Sequence, residues 1–135
     1  MLIRPSFAEA LRELLFCKHR PVNEVMDDFF AEDYQHRDNG RAYSRDEFAG
    51  LAGIARTAVA CGEVSTLEEF RFWNRYATRL MLELNPIDGP DEHVEVYAIG
   101  QYAVDGRFLR LSQARLSLPG AGRVVRAELR SPTVA

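Results

Sequence analysis

The chain predicts an α+β fold, with helices first and antiparallel strands second. Up to Gly62 the apolar residues recur at helical spacing, and beyond it they alternate with a period of two. Ser6 with Glu9 and Ser44 with Glu47 form capping boxes that mark helix starts. Asn39-Gly40 and Asp105-Gly106 are signals for two-residue hairpins, because a type I′ turn needs positive φ at both central positions.

The first helix starts at Ser6 and points Phe7, Leu11, Leu14 and Leu15 inward. A second opens near Pro21, which suits the first helical position. Its stripe is Val22, Val25, Met26, Phe29 and Phe30, with Asn23, Glu24, Asp27 and Asp28 on the other side. A short extended run follows, carrying Tyr34, His36 and Asp38 at alternate positions before the Asn39-Gly40 turn. Tyr43 and Phe48 flank the Ser44 cap as a hydrophobic staple, so the polar run should be held rigidly. The third helix runs from Arg45 to about Ala60, with Phe48, Leu51, Ala52, Ala55 and Val59 inward and Gly62 as its C-terminal cap.

Residues 66–73 and 76–84 then read as strands joined around Asn74-Arg75, with an irregular loop at 85–91. Long strands at 93–104 and 107–118 flank Asp105-Gly106, and Pro119-Gly120-Ala121-Gly122 turns the chain into a last strand at 123–130. A two-residue loop at Asp105-Gly106 would pair Tyr102 with Leu109, Gly100 with Leu111, Ala98 with Gln113 and Val96 with Arg115. On that face small residues oppose polar ones, which leaves room. The other face carries Tyr97, Ile99 and Ala114 among polar groups, too apolar for a wet surface. Helices cover only one face, so a second subunit is expected on the other.

At 135 residues the chain is one domain, spanning 1–135, long enough to bury a core. A net charge of −3 does not suggest a nucleic-acid binder. Between Arg107 and Arg130, six Arg face the single acid Glu128, either as solvated strand faces or as an anion-attracting patch. Cys17 and Cys61 are too few for a disulfide framework, and three His do not make a metal centre. The first five residues have no apolar core before Arg4, and no run is long enough to span a bilayer. A cytoplasmic protein without metal, membrane or nucleic-acid partner is expected.

His36 is the best candidate for acid–base work, since its ordinary pKa of about 6.5 lies close to working pH. Alternatively it ties the run to a neighbouring carbonyl. Asp38 either acts beside it or bonds the amides of the turn that follows. Tyr34 either brings its hydroxyl to a pocket or simply packs. Gln113 and Arg115 suit ligand binding, and an inward Arg demands an anion, either a ligand carboxylate or Glu95 or Glu128. Trp73, Tyr102 and Ala98 are candidate pocket walls or core.

The order of elements, the Asp33-Tyr34-Gln35-His36 … Asn39-Gly40 … Ser44-Arg45-Asp46-Glu47-Phe48 connection, and the Asp105-Gly106-Arg107-Phe108 … Gly122-Arg123-Val124-Val125 hairpins resemble the nuclear transport factor 2-like superfamily. The style is similar to its polyketide-cyclase-like (SnoaL-like) branch. The resemblance covers nearly the whole chain, by element order and turn positions rather than by a catalytic string. It implies a cystatin-like roll, in which a cone-shaped, curved antiparallel or mixed sheet packs against three N-terminal helices, as a homodimer around a pocket. Enzymatic members place an acid or base just after the second helix, where His36 stands. Steroid-isomerase-like members add an acid on the penultimate strand, where this chain reads Ser112-Gln113-Ala114-Arg115. That departure argues against an enolate-stabilising acid.

Two functions follow. The chain is a cofactorless cyclase, isomerase or dehydratase acting on a small apolar molecule with a carbonyl, hydroxyl or carboxylate. His36 would then move the proton, Tyr34 or Gln113 would polarise an oxygen, and Arg115 would orient an acidic group. Alternatively, it is a non-catalytic dimer that binds a ligand or a protein.

Overall fold

A computed structural model describes residues 4–118; the last strand expected at 123–130, its preceding turn and Glu128 lie outside the described residues. In chain order the elements are α1 (Phe7–Leu15), α2 (Val22–Phe29), β1 (Phe30–Asp38), β2 (Arg41–Ser44), α3 (Arg45–Ala58), β3 (Val59–Phe72), β4 (Arg75–Pro86), β5 (Glu92–Tyr102) and β6 (Phe108–Leu118). The six strands form one sheet in the order β2-β1-β6-β5-β4-β3. Every pairing is antiparallel except that of β1 with β6, which is parallel. This is the expected α+β architecture, with a curved, unclosed mixed sheet and three helices on one face. Among the described residues no helix is long and apolar enough to cross a membrane.

Both capping boxes are formed. The Ser6 and Ser44 hydroxyls accept from the amides of Glu9 and Glu47, whose carboxylates accept from the cap amides in return. Pro21 stands one position earlier than expected, as the N-cap of α2. Phe30 leaves the α2 stripe and opens β1, where it sits at the centre of the core against Tyr34, Phe48 and Phe108. The polar run is thus part of a nine-residue strand rather than a connection between helices.

Three boundary expectations are corrected. The third helix ends at Ala58, because Val59 already has extended backbone (φ −107, ψ 141), as a β-branched residue prefers. Gly62 therefore does not cap a helix but lies inside β3. A Cβ there would meet the Glu83 carbonyl oxygen at 2.4 Å and the Phe16 ring at 2.5 Å, so glycine lets backbone and ring close in. The β3–β4 turn is Trp73-Asn74 rather than Asn74-Arg75, since Phe72 pairs with Arg75.

The two Gly turns differ. Asn39 (φ 49) and Gly40 (φ 88) both have positive φ, as a type I′ hairpin requires. At the second, only Gly106 (φ 95) does, and the loop closes by Ala103 N–H donating to the Arg107 carbonyl. One residue is bulged there, so Tyr102 pairs with Phe108 instead of Leu109. Beyond the bulge the expected register holds, with Gly100 opposite Leu111, Ala98 opposite Gln113 and Val96 opposite Arg115.

The core fills the space between the helices and one face of the sheet, around Phe7, Phe30, Tyr34, Tyr76, Tyr102 and Phe108. Arg56 is the one buried cation of α3, and its helical position gave no hint of this. Its guanidinium donates to the carbonyls of Glu13 at 2.9 Å and Leu14 at 2.7 Å, and to that of Arg20. It thereby satisfies carbonyls that the end of α1 leaves without helical partners.

Candidate functional site

A cleft of about 320 Å³ lies between α1, α3 and the inner face of the sheet. Its walls are apolar, with Leu11 and Leu14 from α1, Leu51 and Ala55 from α3, and Leu82 and Leu84 from β4. Its polar end gathers His36, Asp38, Gln113 and Arg115. The parallel pairing of β1 with β6 brings these four together. His36 stands opposite Leu111 and Asp38 opposite Gln113, so 36 and 38 share the inner face with 111, 113 and 115.

Asp38 is clamped. Arg115 Nε donates to Oδ1 at 2.9 Å and Arg115 Nη2 to Oδ2 at 2.7 Å, a bidentate pair, while Gln113 Nε2 donates to Oδ1 at 3.2 Å. Each oxygen accepts at least one of these bonds. Among the described residues the anion beside Arg115 is Asp38, which was not among the expected partners, while Glu128 lies outside the described residues. Glu95 is one residue out of phase and faces the other side, where it pairs with Arg79 at 2.8 Å. Asn39, not anticipated at the site, fixes Arg115 further by accepting from its backbone amide at 2.9 Å.

His36 is 4% exposed. Its ring lies against Phe48, with centroids 4.2 Å apart at 30°. Its Nδ1 shares a 2.7 Å hydrogen bond with the Tyr34 hydroxyl. Burial pushes the His36 imidazole down to about 4, with Asp38 opposing and Arg115 reinforcing the shift. His36 is therefore neutral at physiological pH. Burial likewise raises Tyr34 well above an ordinary phenol, so its hydroxyl keeps its proton. Phe48 was recognised only as a core residue. Its place four residues after the Ser44 cap was the available signal, because that position fixes its ring over β1.

The Tyr34–His36 pair and the Asp38–Gln113–Arg115 set thus stand side by side on β1 and β6, with no hydrogen bond between them. The other three candidates lie elsewhere. Trp73 is at the tip of the β3–β4 hairpin, 77% exposed, which contradicts its reading as core or pocket wall. Tyr102 is buried away from the cleft: its hydroxyl donates to the Pro5 carbonyl at 2.7 Å and accepts from Arg71 Nε at 3.0 Å. Ala98 is buried without lining this cleft. Nor does Gly100 leave room, since a Cβ there would meet the Arg110 carbonyl oxygen at 2.0 Å. Of the Arg-rich segment, Arg107 is engaged by Asp105 and Arg115 by Asp38. Among the described residues no three His, Cys, Asp or Glu side chains converge as a metal site would require.

Three helices on one face of an unclosed mixed sheet, with a polar cluster between sheet and helices, define the nuclear transport factor 2-like fold. Solved structures with that fold superpose on most of this chain. A protein of Catenulispora acidiphila with a ketosteroid isomerase-like fold, solved with trimethylamine, matches 82% of this chain and 85% of its own at 12% identity and a TM-score of 0.64. A SnoaL-like family protein of Agrobacterium tumefaciens matches 81% and 93% at 15% identity and a TM-score of 0.61. A nuclear transport factor 2-like protein of unknown function from an Exiguobacterium matches 85% and 100% at 15% identity and a TM-score of 0.63. No protein-family model matches the sequence, and neither does any curated protein.

Proposed function

We propose that this protein binds a small, mainly apolar molecule carrying an oxygen in the cleft between its helices and sheet. The observation that carries this reading is one cleft with aliphatic walls and a single polar end built from His36, Gln113 and the Asp38–Arg115 pair. A thermal-shift screen of small hydrophobic acids and enones should find compounds that stabilise the protein. Failure of every compound, with the cleft blocked in a crystal structure, would overturn the reading.

A cofactorless cyclase, isomerase or dehydratase is the second reading, favoured by an imidazole that lines an apolar cleft. His36→Ala should then abolish turnover, although losing a buried ring packed on Phe48 and bonded to Tyr34 lowers the melting temperature as well. A large loss of stability with unchanged ligand binding would mark a structural histidine instead. Cys17 and Cys61, both free, suit a reducing compartment such as the cytoplasm.

The outer face of the sheet is proposed to hold a second copy of the chain. Phe70 and Ile99 are more than 60% exposed there, beside Tyr97, around a shallow depression of about 740 Å³. Arg37 and Arg110 stand toward the β1–β6 side, and Glu68 and Glu95 toward the β3–β5 side. A two-fold axis would set each basic side against the partner's acidic one. Sedimentation should show a dimer at micromolar concentration, and a clean monomer would overturn the arrangement.

A further inference from the structure

We infer that Tyr34 fixes His36 as the tautomer with its proton on Nε2, so that the cleft offers a hydrogen-bond donor and selects its ligand by an acceptor oxygen, a carbonyl or an ether. This deepens the ligand-binding reading and rests on it for the ligand. The tautomer itself does not.

The Tyr34 hydroxyl has one hydrogen to place, and its sole partner among the described residues is His36 Nδ1 at 2.7 Å. If Nδ1 carried the imidazole proton it would donate to the Tyr34 oxygen. The phenolic hydrogen would then have no acceptor among the rings of Phe30 and Phe48 that surround Tyr34. With Nδ1 bare, the hydroxyl donates to it and both groups are satisfied. A neutral imidazole holds one N–H, which this leaves on Nε2. That nitrogen has no hydrogen-bond partner among the described residues, nor is it sealed in as a buried orphan, and its ring lines both the cleft and a depression of about 460 Å³ beside β2 and β6.

The neighbouring carboxylate does not take up the imidazole N–H. Asp38 is held by Arg115 and Gln113, and no hydrogen bond joins it to His36. No lone pair on His36 faces the cleft, and Nε2 in this form is a donor rather than a base. Tyr34 acts through His36 and is a positioning residue. The aliphatic walls take the rest of the molecule.

The test is a long-range proton–nitrogen correlation spectrum of the full chain at pH 7, with two probes of matched shape, acetophenone and α-methylstyrene. In the free protein, His36 should show a bare Nδ1 and a protonated Nε2. Tyr34→Phe keeps the buried ring and should turn that single tautomer into a mixture. A proton on Nδ1, a doubly protonated ring, or a spectrum indifferent to Tyr34→Phe would each overturn the assignment. Acetophenone should move the Nε2–H signal and bind about tenfold more tightly than α-methylstyrene, the step that one neutral hydrogen bond supplies. Equal affinity with an unmoved signal overturns the acceptor selection. If neither probe binds while the tautomer is as stated, the ligand-binding reading falls and the proton assignment stands.

Discussion

On the helix side of the sheet, Tyr34 bonds to His36 while Gln113 and Arg115 bond to Asp38, whereas on the far side Phe70, Tyr97 and Ile99 lie open to water. The same strands supply both sets at alternate positions. Val96 and Ala98 are buried while Tyr97 and Ile99, their neighbours in β5, are exposed. The inner face thus places its polar groups where apolar walls surround them and answers nearly every donor and acceptor internally. The outer face does the reverse, leaving apolar side chains unanswered around an ion-paired Glu68–Arg79–Glu95 cluster. A face whose polar groups are settled can discriminate by the one group left over. A face whose apolar groups are unsettled gains by being covered.

Four substitutions sharpen that contrast. Gly100→Ala should have the largest effect, because its Cβ would drive into the β6 backbone; a loss of about 3 kcal/mol is expected in urea unfolding. Next comes acid sensitivity. The folded protein holds His36 at about 4, below the ordinary value of about 6.5, so between these the unfolded chain binds the extra proton. Stability should therefore fall by about 3 kcal/mol as pH drops from about 6.5 to about 4. His36→Phe should flatten that part of the curve in pH-dependent unfolding.

Asp38→Asn weakens a pair that is partly exposed on the Arg115 side. About 1 kcal/mol of stability should go, together with the fixed position of Arg115. Ile99→Glu should change intrinsic stability least, within about 0.5 kcal/mol, yet convert the proposed dimer to a monomer in sedimentation. If Ile99→Glu instead unfolded the chain, the outer face would belong to the core and the contrast would fail.

Much of this was legible in sequence because it is local. Both caps, the Asn39-Gly40 turn and the parity of β5 against β6 depend on residues a few positions apart, and each is found where the pattern placed it. What escaped was either a matter of one residue or of long range. The Asp105-Gly106 loop bulges because Asp105 avoids the positive φ that Asn39 accepts, which shifts only the pair nearest the turn. Trp73 adopts a positive φ of 59 at a hairpin tip, a place where a large aromatic side chain is not anticipated. The Arg115–Asp38 clamp spans 77 positions and depends on a parallel pairing that neither strand announces. His36 and Arg115 could be picked out by residue type. That Asp38 would take up the guanidinium and leave the imidazole alone could not.

The central claim is that the inner face receives a ligand at His36. A crystal structure of the protein soaked with acetophenone tests it most directly. The account predicts the ring among Leu14, Leu51 and Leu82 and the carbonyl oxygen within hydrogen-bond distance of His36 Nε2. A cleft that stays closed, or a ligand seated only on the outer face, would contradict it.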